Sequence, residues 1–89
     1  MEYEKIIHAL IDDIVEEPES VLIRATESEN GQDVVILIAC EKEDTARLIG
    51  RHGIIANALR EVISVAGKNE NKRIHIKFES FGEDEVKED

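Results

Sequence analysis

Residues 48–53 read Leu48-Ile49-Gly50-Arg51-His52-Gly53, which places two glycines three positions apart with Arg51 and His52 between them. Glycine lets the backbone come close to a bulky ligand and adopt dihedral angles that are closed to other residues. Amphipathic segments precede and follow the pair, so the second glycine stands where a helix begins, and amides at a helix N-terminus favour an anion. We therefore interpret this stretch as a loop between two helices that can receive a phosphate group.

The elements before this loop are a helix and two strands. Apolar residues at helical spacing predict a first helix that ends before Pro18, namely Ile7, Leu10, Ile11, Ile14 and Val15. A β-compatible run follows at Val21–Arg24, and Asn30-Gly31 predicts a tight hairpin turn. Residues 34–40 are apolar without polar alternation, which is typical of a central strand with neighbours on both edges.

The elements around and after the loop are two helices and a strand. The short helix should start at Glu43 or Asp44 and end at Gly50. The next helix should carry one apolar stripe and close at Gly67, the stripe being Ile55, Ala58, Leu59, Val62, Ile63 and Ala66. A last strand then alternates Ile74, Ile76 and Phe78 with Arg73, His75 and Lys77.

The resulting order α-β-β-α-α-β predicts an α+β domain of two layers. A helix pair that joins two strands acts as a crossover, which favours a last strand parallel to an earlier one. We therefore expect a three-stranded mixed sheet with the helices on one face. Residues 1–80 should form this single domain, and residues 81–89 should form an acidic, flexible C-terminal tail, because they have too little apolar content to repay ordering.

Composition excludes several classes of protein. The longest apolar run, residues 34–40, is far shorter than the roughly 20 residues that span a bilayer. The N-terminus is acidic where a signal peptide would be basic, so no membrane association and a cytoplasmic location are expected. Cys40 is the single cysteine and should be a buried apolar residue. No hydroxyl nucleophile is paired with a histidine in a recognisable pattern, and His8 and His75 lack metal-ligand spacing, so we expect no catalysis, metal or cofactor.

Charge is unevenly distributed along a chain whose formal net charge is -10. Residues 1–44 and 78–89 are strongly acidic, with net charges of -10 and -5. Residues 45–77 carry seven Lys or Arg against Glu61 and Glu70, a net charge of +5. Because screening limits charge effects to about 10 Å, a ligand at the loop should respond to local cations more than to distant acids. This pattern predicts an electropositive loop and weak binding of an anionic ligand.

The element order with Gly50-Arg51-His52-Gly53 between the second and third helices resembles a type II KH domain with its GxxG loop. Ala58-Leu59-Arg60 and the acidic helix start narrow the resemblance to the small, single-KH-domain KhpA-like proteins of bacteria, over roughly residues 3–79. The resemblance implies binding of single-stranded RNA through the GxxG loop and an adjacent apolar groove, and a role as an RNA chaperone or post-transcriptional regulator. It also implies a homodimer, or a heterodimer with a larger KH-containing protein of the KhpB type, also called Jag or EloR.

Carried over residue by residue, the resemblance assigns roles to eight positions. The backbone clamp would be Gly50, Arg51, His52 and Gly53, and the groove beside it would be built by Ile49 and Ile55. Arg47 and Arg60 are further candidates for contact with phosphate groups. With few aromatic residues, the bases would be held by aliphatic contacts and hydrogen bonds rather than by a stacking platform.

A second reading keeps the fold but changes the function. Ile54 follows the loop where such proteins frequently have a basic residue, and it can belong to a protein contact instead. The alternative function is therefore a protein-interaction or dimerisation module with weak or lost RNA binding. Arg73, His75 and Lys77 alternate on one strand face and are interpreted as a solvated outer surface, outside the site.

Overall fold

The structure, a computed structural model, describes residues 2–81. Its helices are α1 (Tyr3–Ile11), α2 (Lys42–Ile49) and α3 (Ile54–Asn69), and its strands are β1 (Leu22–Glu27), β2 (Asp33–Cys40) and β3 (Arg73–Ser80). Single 3-10 turns lie at Pro18–Ser20 and Arg51–Gly53. The predicted order α-β-β-α-α-β is confirmed. Apart from Phe81, the predicted acidic tail lies outside the described residues.

The sheet has the order β1-β2-β3, so the apolar strand β2 is central, as predicted. β1 pairs with β2 antiparallel, with Ile23 opposite Ile38, and β3 pairs with β2 parallel, with Ile76 opposite Ile36. The crossover through α2 and α3 therefore produces the expected mixed sheet, because a parallel pair needs a long connection. β1 and β3 are the two edges.

The core lies between the sheet and the three helices. Even-numbered residues of β2 point into it, and Val34, Ile36, Ile38 and Cys40 are at most 1% exposed. Helix α3 contributes Ile63, which is fully buried, and β3 contributes Phe78. The odd-numbered residues of β2 from Asp33 to Ala39 and their partners on β1 and β3 form the other side of the sheet, which we name the open face. Among the described residues no helix covers the open face, where Leu22 is 64% exposed.

Helix α1 and the hairpin differ from the prediction in detail. Helix α1 ends at Ile11 rather than near Pro18, because the amides of both Ile14 and Val15 turn back to the Ile11 carbonyl. The hairpin is a loop of residues 28–32 rather than a tight turn on Asn30-Gly31. Only Gly31 takes a positive φ there, at 70°. Asn30 acts through its side chain, which accepts a hydrogen bond from the Gln32 amide at 2.8 Å.

Two predicted helix boundaries are wrong for informative reasons. Helix α2 begins at Lys42, so Asp44 lies inside the first turn instead of capping it, and it is only 1% exposed. Helix α3 continues through Gly67 to Asn69. A Cβ at Gly67 would lie 2.5 Å from Ile74 Cγ1 and 2.8 Å from the Lys72 carbonyl oxygen. Gly67 is therefore required for the close approach of α3 to β3, not for ending the helix.

Tyr3 ties the start of α1 to the end of α3. Its hydroxyl donates to Glu70 Oε1 at 2.8 Å. Burial, and next the bond to the Glu70 carboxylate, raise the pKa of Tyr3 to about 12. The phenol therefore stays protonated and keeps donating over the whole physiological range.

Candidate functional site

The two glycines of the loop adopt different conformations. Gly50 ends α2 with φ 75° and ψ 175°, a region of backbone space that is essentially restricted to glycine. Gly53 precedes α3 with φ 75° and ψ 17°, which is left-handed, and His52 between them is also left-handed with φ 56°. The Gly53 amide donates to the Gly50 carbonyl at 3.1 Å. The loop is therefore a single closed turn rather than an extended connection.

Gly50 also permits a close contact across the loop. A Cβ at this position would lie 2.5 Å from Ile55 Cγ1 and 3.1 Å from the Ile55 amide nitrogen. The absence of a side chain thus brings the end of α2 against the first turn of α3. Ile49 is buried at 8% exposure, and Ile55 is half-buried against the same core. Ile49 is therefore part of the core, and Ile55 packs between the core and Gly50.

The first turn of α3 presents backbone donors beside this loop. Helix α3 begins at Ile54, and its N-cap Gly53 offers no side-chain hydrogen bond. A helix N-terminus carries unsatisfied N–H groups and the positive end of the helix dipole, which together favour an anion by about 0.3 to 1 kcal/mol at exposed sites. Arg51 and His52 are exposed on the turn itself. Arg51 and the N-terminus of α3 are therefore close in sequence at the predicted phosphate clamp, although the amides of Gly53 and Ile54 already donate to the carbonyls of Gly50 and Arg51.

Arg47 lies on the last turn of α2, close in sequence to the clamp, but it is engaged by carboxylates. Its Nη1 is 2.6 Å from Asp44 Oδ1 and its Nη2 is 3.2 Å from Glu16 Oε1. The Arg47 side chain is 39% exposed. A phosphate at Arg47 would therefore compete with two carboxylates that already bind it.

Asp44 itself fastens the segment after α1 to α2. Its two carboxylate oxygens accept the Glu16 amide at 2.9 Å and the Glu17 amide at 3.1 Å. The Glu16 amide first, with further contributions from Glu17 and Arg47, holds the pKa of Asp44 below its usual value, although burial acts in the opposite direction. Asp44 is therefore a structural carboxylate and stays ionised at neutral pH.

Arg60 lies on α3 and reaches the edge strand β3. Its Nη2 donates to the Ile76 carbonyl oxygen at 3.0 Å, and its guanidinium carbon lies 5.9 Å from the centre of the Phe78 ring. The amides of Arg73 and Phe81 donate towards the β2 side, so the alternate residues Ile74, Ile76 and Phe78 direct their backbone groups outwards. Arg60 is therefore half-buried and lies along the outer edge of β3 rather than on the loop.

The cations of residues 45–77 do not all surround the loop, and this expectation was wrong. Helix α3 has 16 residues and is therefore about 24 Å long. Arg47 on α2, Arg51 on the turn and Arg60 in the first half of α3 lie towards the loop, whereas Lys68, Lys72 and Arg73 lie at the far end of α3. Lys72 is ion-paired there with Glu27, and Arg73 with Asp33. Sequence proximity overstated the positive charge at the loop because a long helix separates the two groups.

Sequence reasoning missed the residues that hold Arg47 and Arg60. Asp44 and Arg47 are three apart, a spacing that places their side chains together on a helix, so this ion pair was detectable. Glu16 is 31 positions from Arg47, and the Ile76 carbonyl is 16 positions from Arg60. These contacts follow from the packing of α1 and β3 and have no local signal.

Residues 2–81 hold neither a metal-binding cluster nor a membrane-spanning helix. No group of three or more His, Cys, Asp or Glu side chains is arranged to hold a metal ion within this range. No helix in the same range has the length and apolar character needed to cross a membrane.

Comparison with known proteins matches this architecture to one family. Residues 4–78 match the family described as KhpA/KhpB, KH domain. The chain is 32% identical over 71 residues to RNA-binding protein KhpA of Oceanobacillus iheyensis, covering 80% of this chain and 92% of the relative. It is 31% identical over 75 residues to RNA-binding protein KhpA of Listeria monocytogenes, covering 84% and 96%. It is 30% identical over 78 residues to the Bacillus subtilis protein of the same name, covering 88% and 91%.

No solved structure matches the chain. The assignment therefore stands on the matched sequence and on the fold, which has the α-β-β-α-α-β order and mixed sheet of a type II KH domain. Both cover the glycine turn and the two helices that flank it. On this evidence, the chain belongs to the KhpA/KhpB family of KH domains.

Proposed function

We propose that this protein binds single-stranded RNA through the turn Gly50–Gly53, as a cytoplasmic RNA chaperone or post-transcriptional regulator. The observation that carries the proposal is the close-packed glycine turn at the N-terminus of α3, where Arg51 is exposed and Gly53 supplies no side-chain cap. The relatives named RNA-binding protein KhpA support RNA as the ligand. The proposal assigns the protein no catalytic step.

Each proposed contact has a distinct role. The amides at the start of α3 and the Arg51 guanidinium hold one phosphate, and the His52 side chain, which is exposed on the same turn, is a further hydrogen-bond donor to it. Ile49 and Ile55 form the apolar floor on which a base lies. Arg60 and the outward backbone groups of β3 face the base edges, while Arg47 contributes only after its carboxylate partners are displaced. Because few cations are near the turn, binding is weak and its selectivity modest.

The direct test is an NMR titration of the labelled chain with a short oligouridylate at low salt. We expect shifts in the backbone signals of Gly50–Gly53 and Ile55. The double variant Arg51→Asp with His52→Asp should lower the affinity by about tenfold or more, the equivalent of one lost charge-assisted hydrogen bond. Aspartate tolerates the left-handed conformation of His52, so the turn is kept.

The matched control is Lys5→Asp, which reverses a cation that is 78% exposed on α1, far from the turn in sequence and bonded only to its neighbour Glu2 among the described residues. Its affinity should stay within about twofold of the unmodified chain, since exposed charges distant from a ligand are largely screened. Unshifted turn signals at saturating RNA, or an equal loss of affinity in both variants, would contradict the proposal.

A second candidate function, dimerisation, is favoured by an apolar stripe on the outer side of α3. Ile54, Val62 and Val65 are 66%, 50% and 61% exposed, and Ala58 lies between them at helical spacing. We propose that this stripe pairs with a second copy or with a larger KhpB-type protein.

Sedimentation at several protein concentrations tests this pairing. Val62→Glu should shift the chain to a monomer, because a charge at an apolar contact is left without solvent. Leu10→Glu on α1, where the replaced leucine is also exposed at 37%, is the control and should not change the association. A monomer at all concentrations that also recovers no KhpB-type partner would contradict the proposal.

A further inference from the structure

The open face of the sheet has no role in the function proposed above. It is formed by the odd-numbered residues of β2 and their partners, on the opposite layer from α2, α3 and the glycine turn. The apolar residues of the open face are Leu22, Val35, Leu37 and Ala39, which we name the apolar column. Of these, Leu22 is 64% and Val35 is 37% exposed. Sequence reasoning treated the charged residues beside this column as a solvated surface.

One row of the open face places two cations on either side of an aliphatic residue. Arg24 on β1 and Lys77 on β3 are both in register with Leu37 on β2. The strands that carry them are about 10 Å apart, because neighbouring strands are separated by about 4.8 Å. Neither Arg24 nor Lys77 makes an ion pair or side-chain hydrogen bond with another residue of the described range, and both are exposed.

The other cations of the open face are neutralised locally. Arg73 binds Asp33 with two nitrogens, Nε to Oδ1 and Nη2 to Oδ2, each at 3.0 Å. His75 Nε2 lies 3.1 Å from Asp33 Oδ1. These contacts, the histidine first and then the arginine, hold the pKa of Asp33 below its usual value, so the carboxylate stays ionised. The cations of the open face that no carboxylate contacts within the described residues are therefore Arg24 and Lys77, with Glu79 two positions from Lys77 on the same face.

The sign of this charge identifies the chemistry of the occupant. The open face holds Arg24, Arg73 and Lys77 against Asp33 and Glu79, a formal charge of +1, in a chain of -10. A positive surface on a strongly acidic molecule favours an anionic ligand. It also repels acidic surfaces less than the rest of the molecule does. The apolar column is narrow and has no aromatic residue, whereas strong protein contacts are rich in aromatic anchors.

We propose that the open face is a second RNA-binding surface, in which Arg24 and Lys77 hold phosphates of a single strand whose bases lie over Leu37 and Val35. This surface stands on its own observations. Its consequence rests in addition on the proposed function of the turn: one domain with RNA contacts on both layers holds two segments of RNA at once. Such an arrangement would let one domain hold two RNA strands close together.

The test uses the full chain, a short oligouridylate and three variants. Arg24→Gln with Lys77→Gln removes the two cations of the open face, and Lys5→Gln with Lys42→Gln removes two exposed cations of helices as the matched control. Arg51→Asp with His52→Asp disables the turn. In the unmodified chain we expect the signals of Leu22, Val35 and Leu37 to shift on titration, in addition to those of the turn.

The open-face shifts should persist in the turn variant and in the control, and should be lost in the Arg24/Lys77 variant, which keeps the turn shifts. That variant should also reduce the slope of log affinity against log salt by about 1.4, at roughly 0.7 for each lost phosphate contact on a single strand. It should slow the annealing of two complementary RNA strands to the rate without protein.

Each other outcome separates the two proposals. Shifts at the turn alone overturn the second surface and leave the proposed function standing. Shifts at the open face alone overturn the turn and leave the second surface standing. Open-face signals that respond to protein concentration and not to RNA overturn the second surface in favour of contact between copies, and silence at both surfaces overturns both.

Discussion

At the residue scale, Gly50 shows why a glycine motif cannot be interpreted from spacing alone. Both glycines were expected to supply conformational freedom, and Gly50 was expected to end the short helix. Its ψ of 175° instead puts it in a region that only glycine uses freely, while its missing side chain makes room for Ile55. Glycine is therefore required at position 50 both for the backbone conformation and for the space that Ile55 occupies.

Replacing Gly50 with alanine should therefore destabilise the fold more than an ordinary glycine substitution. Backbone strain of about 1 to 3 kcal/mol adds to overlap with Ile55, for a total of about 2 to 5 kcal/mol. Gly31→Ala is the matched control, since Gly31 has φ 70° but nothing within 4 Å of an added Cβ. It should cost only about 1 to 2 kcal/mol. Urea unfolding measures both, and equal losses would contradict the packing role of Gly50.

Asp44 should make the stability of the fold depend on pH. Because its pKa is lowered in the folded state, its contribution to stability is present above the pKa of the unfolded chain and is lost as pH falls through the folded value. Asp44→Asn should lower the melting temperature at neutral pH and flatten its decline in acid. Melting curves between about pH 2 and pH 7 test this. An unchanged acid decline would mean that other carboxylates dominate it.

At the scale of elements, the loop after α1 restrains Arg47, the last cation before the glycine turn. Arg47 is bound by Asp44 within α2 and by Glu16 from that loop. Glu16 is 74% exposed, so its pair with Arg47 is a weak surface contact. An RNA phosphate has to replace this carboxylate before Arg47 can contribute to binding.

Glu16→Gln should therefore increase the affinity for oligouridylate. Surface ion pairs contribute about 0.2 to 1 kcal/mol, so the increase should be about 1.5- to fivefold. Glu19→Gln changes the net charge equally, is also exposed, and does not contact Arg47, so it serves as the control. A fluorescence anisotropy titration at fixed salt compares the two variants. An equal increase in affinity in both would show that the effect comes from net charge alone.

The sequence predicted the existence of elements better than their faces and ends. The alternating residues of β3 and the apolar run of β2 identified the sheet, because strand periodicity depends on burial alone. Val62 was assigned to the buried stripe of α3 but is 50% exposed, since the neighbouring Leu59 and Ile63 already fill the core-facing side. Which side of an apolar helix meets the sheet is decided by packing, so a stripe this wide does not reveal it.

At the scale of the whole molecule, stability and RNA binding should respond to salt in opposite directions. The net charge of -10 makes the compact chain repel itself, and added salt screens this repulsion. Raising the ionic strength from about 0.01 M to about 0.15 M shortens the screening length from about 30 Å to about 8 Å. The melting temperature should rise over this range.

The RNA affinity should fall over the same range. Each phosphate contact on a single strand contributes a slope of about -0.7, so two or three contacts give about -1.4 to -2.1. Parallel melting and anisotropy measurements in one salt series test both trends. An affinity that does not depend on salt would show that phosphate contacts do not drive binding.

The parallel pairing of β2 with β3 has a consequence for synthesis of the protein. It joins Asp33 to Arg73, which are 40 positions apart, and the whole glycine turn lies on the connection between them. Closing so long a connection costs entropy that local contacts do not offset. The contacts of α3 with β3 can therefore form only after residues 73–80 have been synthesised, whereas the local contacts of the glycine turn between α2 and α3 can form earlier.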